Sequence, residues 1–388
     1  MPLSGVRILD LTTVLMGPYA TQLLGDFGAD VIKIEAANGD SVRGIGPMRH
    51  KGMGAAFLAV NRNKRSIVID LKRPQGRELL LDMARRADVL VYNLRPHVME
   101  KLGLAYEAFA EVNPALLYVG VYGYGRRGRY ATRPAYDDLI QAMTAIPSLY
   151  SQSSGNDPRY VPFPVVDRFV GMYAALVVAS ALYERKNSGK GQRIDVPMFE
   201  TMTSVVLGDH IGGRGFVPPL GPPGYARQLS RSRRPFPTSD GYLAILPYND
   251  EQWRRFFRAV GHLEAFEKDP RFADIADGPV AGLARLGPLV RRLGQLDEEK
   301  SAVAAVPRVQ LHHRVSRRGG TGEEVEDDMF FILLRRERQH FHDQLFRFRT
   351  VEESPVQQTF QLFRRAVGVS HFLVVPDRLR RLRRALVE

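Results

Sequence analysis

Short apolar runs alternate with stretches of helical spacing through the first half of the chain. "VRILDLT" (6–12) is a brief strand-like run. "GPYATQLLGDFGA" (17–29) follows at helical spacing, with Pro18 near its start and Gly28 near its end. "DVIKIEA" (30–36) is a second strand, and "RSIVIDLK" (65–72) a third that leads into the helical "PQGRELLLDMARRA" (74–87). "DVLVYNL" (88–94), "LLYVGVYGYG" (116–125) and "QRIDVPMFE" (192–200) complete six strands. Strands alternating with helices predict an α/β fold: a Rossmann-like, open, mostly parallel sheet with helices on both faces. Such a sheet binds ligands beyond the carboxyl ends of its strands.

The pattern changes near Leu207. Residues 207–238 are dense in Gly and Pro and lack a period, which predicts a linker between a large domain (1–206) and a smaller second domain starting at 239. "GYLAILPYNDEQWRRFFRAVG" (241–261) predicts one strand and one helix, with Trp253 in the core and Phe256 and Phe257 on the same helix. From 277 to 388 the composition shifts again, to 19 Arg against the single Lys300, with little sustained patterning. Local preference and pattern disagree there, which counts against a well-specified fold. An Arg-rich, Lys-poor stretch of this kind fits translation of a GC-rich gene in a shifted frame, which would leave the second domain's core incomplete.

The chain of 388 residues can hold two domains. The apolar run from Phe169 to Tyr183 is shorter than the roughly 20 residues that span a bilayer. No secretory leader pattern precedes the first strand, so the expected location is the cytoplasm, away from any membrane. With no cysteine there is no thiol nucleophile and no cysteine zinc site. The formal charge of +13 is not gathered into a Lys/Arg tract with interleaved aromatics, so a specific nucleic-acid partner is not expected. Arg43, Lys64, Arg65, Lys72, Arg95 and Lys101 instead lie near predicted turns. As a group they suit a ligand with several phosphates.

"GYGRRG" (123–128) fits a dinucleotide fingerprint only formally, because Pro134 stands where a helix should open. His340 and His342 lack further metal ligands, so no metal site is expected. Asp167 stands out at the mouth of the long apolar segment. Asp is a preferred N-cap worth about 1 kcal/mol, and helical apolar spacing begins two or three residues later, so pattern alone favours a cap. An anion at a helix N-terminus is also stabilised, which lowers its pKa and keeps it ionised, as a carboxylate nucleophile requires. Position alone leaves both roles open.

Six segments occur together: "GVRILDLTTVLMGPYATQLLGDFGADVIKIE", "NRNKRSIVIDLKRPQGRELLLDMARRADVLVYNLRP", "LGLAYEAFAEVNPALLYVGVYGYG", "RPAYDDLIQA", "DRFVGMYAALVVASALYERKNSGKGQRIDVPMFE" and "RRPFPTSDGYLAILPYNDEQWRRFF". In this order they resemble the family III CoA-transferases (the CaiB/BaiF family), which include formyl-CoA transferase and α-methylacyl-CoA racemase. The resemblance covers most of residues 4–276. It implies that Asp167 attacks an acyl-CoA thioester, giving an aspartyl-acyl anhydride and then an aspartyl-CoA thioester. CoA contacts are implied at Ile69, Asp70, Leu71 and Lys72, at Asn93, Leu94 and Arg95, at Lys101, and at Pro134, Ala135, Tyr136 and Asp137. The implied partners are an acyl-CoA and an acceptor carboxylic acid, with CoA as substrate rather than tightly bound cofactor. The family's interlocked homodimer is implied as well.

The departures are informative. Leu15 replaces the glutamine of formyl-CoA transferase, which argues against formate–oxalate exchange. Ala36 replaces an arginine that helps hold the CoA nucleotide, and Arg43 is a candidate substitute. Tyr136 replaces the histidine of the racemase branch. With a reference pKa near 10, tyrosine is a poor proton-transfer base, so transferase is favoured over racemase or epimerase. A third possibility is a non-catalytic remnant whose basic tail binds polyanions nonspecifically.

Overall fold

The computed structural model describes residues 1–237, 241–245, 247, 250–259, 261, 263–268 and 331–335. They fall into two compact units, Met1–Ser151 with Asn156–Gly224, and Gln152–Gly155 with Tyr225–Glu388.

The first unit opens with β1 (Arg7–Leu11), α1 (Met16–Asp26), β2 (Asp30–Glu35), α2 (Ala55–Asn61), β3 (Lys64–Val68) and α3 (Pro74–Ala84). β4 (Val89–Tyr92), α4 (Pro96–Lys101), α5 (Tyr106–Val112) and β5 (Leu117–Tyr122) follow. The connection from β5 to the last strand carries α6 (Asp137–Met143), α7 (Ile146–Ser154) and the 24-residue α8 (Val165–Ser188). β6 (Gln192–Pro197) and α9 (Met198–His210) close the unit. All six strands join one sheet in the order β3-β2-β1-β4-β5-β6, every neighbouring pair parallel. This is the Rossmann-like sheet expected from the alternating pattern, and the strand order reverses between β1 and β4.

Both faces of the sheet are covered at its centre, which is why β4 and β5 are buried at every position and nearly unbroken apolar runs rather than alternating. Ile8, Val89, Val91, Val119 and Val121 face α1 and α8, where Ala20, Leu24, Val166, Val170, Ala174 and Val178 complete one core. Leu9, Leu90, Tyr92 and Tyr118 face the other way, onto Leu80, Ala84, Met99 and Phe109. α1 and α8 pack closely. A Cβ on Gly171 would lie 2.8 Å from the Met16 carbonyl oxygen, so this crossing needs glycine.

α8 is long and apolar enough to cross a membrane by length and composition. It is instead a core helix on one side: Val166, Val170, Ala174 and Val178 are fully buried. Its other side is apolar too, with Met172, Tyr173, Leu176 and Tyr183 exposed.

Several boundaries differ from the expected ones. The sixth strand ends at Pro197, because Met198 starts α9, and that helix continues through the first residues of the Gly/Pro-rich stretch. The second unit contains α10 (Ala226–Leu229), β7 (Phe236–Pro237), β8 (Gly241–Ile245), α11 (Asp250–Ala259), α12 (Leu263–Lys268) and β9 (Phe331–Arg335). β8 pairs antiparallel with β7 and with β9. Trp253 is buried as expected, in ring contact with the buried Phe256 and Phe257, and Phe257 in turn meets Phe266. Except for β9, the expectations for residues 277–388, including the His340–His342 pair and the polyanion-binding tail, lie outside the described residues.

Candidate active site

Asp167 lies in the first turn of α8, two residues inside the helix. Pro164 is the N-cap residue, and the helix has no side-chain cap. The cap role favoured by pattern is therefore not the one Asp167 takes. Its main-chain N–H donates to Asp137 Oδ1 at 2.9 Å. Asp137 opens α6, so two helix starts bring two carboxylates together across 30 residues of sequence.

The electrostatics also differ from expectation. Burial, reinforced by the Asp137 charge, pushes the Asp167 carboxyl up to about 7, against the opposing pull of Arg168. Asp138 adds to the upward push. Helix N-terminal stabilisation is worth only about 0.3–1 kcal/mol at ordinary sites, too little to offset burial beside a like charge. Arg168 is itself drawn aside, its guanidinium 4.5 Å from the centre of the Tyr19 ring on α1.

The loop from β1 to α1 reaches the same region, since the first turn of α1 packs on Gly171 of α8. Every main-chain polar group from Thr12 to Thr13 is held by a side chain. Asp10 Oδ1 accepts the Thr12 N–H at 2.9 Å, and Lys33 Nζ donates to the Thr12 carbonyl at 2.8 Å. The Asn93 amide accepts from Thr13 N–H at 3.0 Å and donates to Thr13 O at 2.7 Å. Asp40 Oδ1 accepts the Val14 N–H at 3.1 Å, and Asp40 Oδ2 pairs with Lys33 Nζ at 3.0 Å. Val14 has φ 69°, a conformation that costs a β-branched residue roughly 1–3 kcal/mol. The network imposes it at the switch point between β1 and β4, the crevice where sheets of this order bind ligands.

The other expected site residues follow the carboxyl ends of the strands. Ile69, Asp70, Leu71 and Lys72 follow β3; Asn93, Leu94 and Arg95 follow β4, with Lys101 ending α4; Pro134, Ala135 and Tyr136 lead from β5 to Asp137. Their side chains do different things. Ile69 is buried in the core, and Asn93 spends its amide on Thr13. Asp70 accepts from the Lys72 N–H at 3.0 Å, while Lys72, Arg95 and Lys101 are exposed cations along that edge. Tyr136 is the N-cap residue of α6 and 66% exposed.

Three of the six expected phosphate-facing cations are committed elsewhere. Arg43 grips Glu35 through two contacts, at 2.8 and 2.6 Å. Lys64 is buried on Asp10 at 2.9 Å, and Arg65 pairs with Asp30 at 2.6 Å. Burial, offset only in part by Asp10, pushes the Lys64 ammonium down to about 8. The substitution of Arg43 for the arginine missing at Ala36 is thus not supported by where its guanidinium points. Among the described residues no cluster of potential metal ligands occurs. The glycine loop after β5 is anchored by Glu200, which accepts the Gly125 N–H at 2.9 Å, and no helix opens on Gly128.

Comparison with known proteins fits this arrangement. The model of CoA-transferase family III matches residues 3–310. The chain belongs to CoA-transferase family III. The match runs past Ala276, where the resemblance read from the sequence stops. The chain is 37% identical over 283 residues to a succinate–glutarate CoA-transferase of Agrobacterium fabrum, covering 70% of this chain and 69% of that protein. It is 42% identical over 201 residues to an acetyl-CoA:oxalate CoA-transferase of Acetobacter aceti, covering 51% of each. A crystal structure of a CaiB/BaiF family protein from Brucella suis superimposes with a TM-score of 0.64 at 33% identity, over 78% of this chain and 81% of that one. The chain thus spans between half and about seven-tenths of the two relatives' lengths. These relatives are named as transferases, which does not favour the racemase alternative.

Proposed function

We propose that this protein transfers CoA between carboxylic acids, with Asp167 as the covalent nucleophile. The observation that carries the reading is the Asp167 carboxyl, partly buried at the start of α8 and facing a second carboxylate. An Asp167 oxygen attacks the thioester carbonyl of acyl-CoA. The C–S bond breaks, leaving an aspartyl-acyl anhydride and CoA thiolate. The thiolate then attacks the aspartyl carbonyl, releasing the donor acid as its carboxylate and forming an aspartyl-CoA thioester. The acceptor carboxylate reverses both steps and leaves as acyl-CoA, and Asp167 is restored.

The site drives the first step by what it relieves. Ionised Asp167 is penalised by burial and by Asp137, and both penalties vanish when its charge is lost to the acyl group. That gain appears on the way to the transition state and not in substrate binding, so it raises kcat. In this reading CoA phosphates meet Lys72, Arg95 and Lys101, supported by their exposure on segments that follow β3 and β4. CoA is then a substrate that comes and goes. The names of the relatives make succinate, glutarate and oxalate the first acids to test.

Mixing the protein with acyl-CoA and quenching with hydroxylamine is expected to leave a hydroxamate at Asp167, read by peptide mass spectrometry. Absence of the adduct with every donor tried would reject the nucleophile. Because the ionised form attacks, kcat/KM is expected to rise with pH to a midpoint near 7 and then level off. A flat profile between pH 5 and 8 contradicts this assignment.

A homodimer is part of the same proposal, supported by the exposed apolar side of α8 formed by Met172, Tyr173, Leu176 and Tyr183. Sedimentation equilibrium is expected to give twice the chain mass. Leu176→Glu is expected to shift the species toward the monomer.

A further inference from the structure

Gln141 is fully buried, and both ends of its amide are engaged at the site. It lies one turn after Asp137 on α6, so the two side chains share a helix face. Its Nε2 donates to Asp137 Oδ2 at 2.6 Å, and its Oε1 accepts the Val161 N–H at 2.9 Å. The second contact reaches the segment entering α8. There Phe163 N–H donates to Val161 O at 2.8 Å, and Val165 N–H to Phe163 O at 2.7 Å. A continuous line of hydrogen bonds therefore runs from the α8 lead-in through Gln141 and Asp137 to the Asp167 main chain.

We propose that Gln141 is a positioning residue for the carboxylate pair: it fixes Asp137 so that one oxygen holds the Asp167 N–H and the charge stays turned toward the Asp167 carboxyl. This rests on the nucleophile assigned to Asp167 and adds a residue to that site. An amide suits the position because one end must donate to a carboxylate and the other must accept from an N–H. No hydrocarbon does either, and a carboxylate does only the second. Gln141 thereby keeps the Asp137 carboxylate turned toward the Asp167 carboxyl, whose ionisation burial and that neighbour oppose.

The remaining charged groups facing the pair come from two elements. α6 supplies Asp138 and α8 supplies Arg168, whose guanidinium lies over the Tyr19 ring of α1. From α9, Glu200 is turned to the Gly125 N–H.

The test is a carboxyl titration that needs no turnover. Full-length protein labelled with 13C-aspartate is titrated from pH 4 to 9, with the Asp167 signal assigned by its loss in Asp167→Asn. The wild-type midpoint is expected near 7. In Gln141→Met, which keeps the length but donates nothing, the midpoint is expected to fall by about one unit. A folded Gln141→Met protein with an unchanged midpoint overturns the proposal, since mere packing would alter stability alone.

Gln141→Glu keeps the shape and decides the matter if the methionine variant does not fold. When protonated, its acid donates to Asp137 and accepts from Val161 as the amide does. When ionised it repels Asp137. Its pH–rate profile is expected to be a bell in place of a plateau. On the alkaline side kcat should be lowered roughly 10–100-fold, with KM for acyl-CoA unchanged. A wild-type profile in that variant also overturns the proposal. If the wild-type protein forms no hydroxamate, the nucleophile assignment fails, and the 13C titration still decides the role of Gln141.

Discussion

Asp167→Asn is expected to abolish CoA transfer and at the same time to stabilise the protein at alkaline pH. The amide cannot attack a thioester to form an anhydride. The loss should be roughly 10⁴-fold or more, on the scale of nucleophile removal in other covalent enzymes. The stability gain follows from the environment of the carboxyl. Its value in the folded protein is about 7, against an ordinary 3.8. A raised value means the folded state binds the proton more tightly than the unfolded state. The resulting contribution to stability is complete below about pH 3.8 and lost as pH rises through 7. At 1.36 kcal/mol per unit this loss is about 4 kcal/mol. Asparagine has no charge to bury. At pH 8 the variant should therefore be more stable by about 4 kcal/mol, and at pH 4 the two proteins should match within error. Urea unfolding at the two pH values checks both statements. Equal stability at pH 8 would mean that Asp167 is far better solvated than its burial implies.

Lys33→Met is expected to destabilise the fold by about 3–5 kcal/mol, the usual cost of leaving a buried charge without its partner. Lys33 and Asp40 have side chains only 1% and 0% exposed, and their contact is 3.0 Å. Removing the ammonium strands the Asp40 carboxylate and takes the donor from the Thr12 carbonyl. The double change Lys33→Met with Asp40→Leu should recover part of the stability, because replacing both charges by apolar groups is often nearly neutral. It should not recover activity. Asp40 Oδ1 also holds the Val14 and Val42 N–H groups, and without it nothing compensates the positive φ of Val14. A double variant that regains both stability and rate would show that this loop conformation does not matter for the chemistry.

The inner strands β4 and β5 were legible because a strand covered on both faces is a short, nearly unbroken apolar run: "VLVY" in β4 is buried at every position. α2, α4 and α5 were not, since 6 or 7 residues make fewer than two turns and show no period. The start of α8 was misplaced for a local reason. Val165 and Val166 are β-branched and resemble extended chain, yet Val166 is fully buried in the core beneath the helix, and packing outweighs propensity. That shift of three residues separates a cap from a buried carboxylate. The direction of the Asp167 pKa was beyond the sequence, because it depends on burial and on Asp137, 30 residues away. Gln141 had a signal in the sequence: Asp and Gln four apart on a helix that starts at the Asp. The clamp on Thr12 to Val14 had none. Its donors and acceptors come from β1, β2, the turn after β2 and the end of β4, and only the parallel register brings them together.

The connection from β5 to β6 has a consequence for how the protein acquires its structure. Leu117 pairs with Gln192, and both carboxylates of the site lie on the helices between those two strands. Closing so long a loop before any pairing rewards it makes β6 a late and slow addition during folding. Until it docks, the β5 edge is open to pairing with another chain, so a newly made chain is most prone to aggregate along that edge just before the sheet is complete.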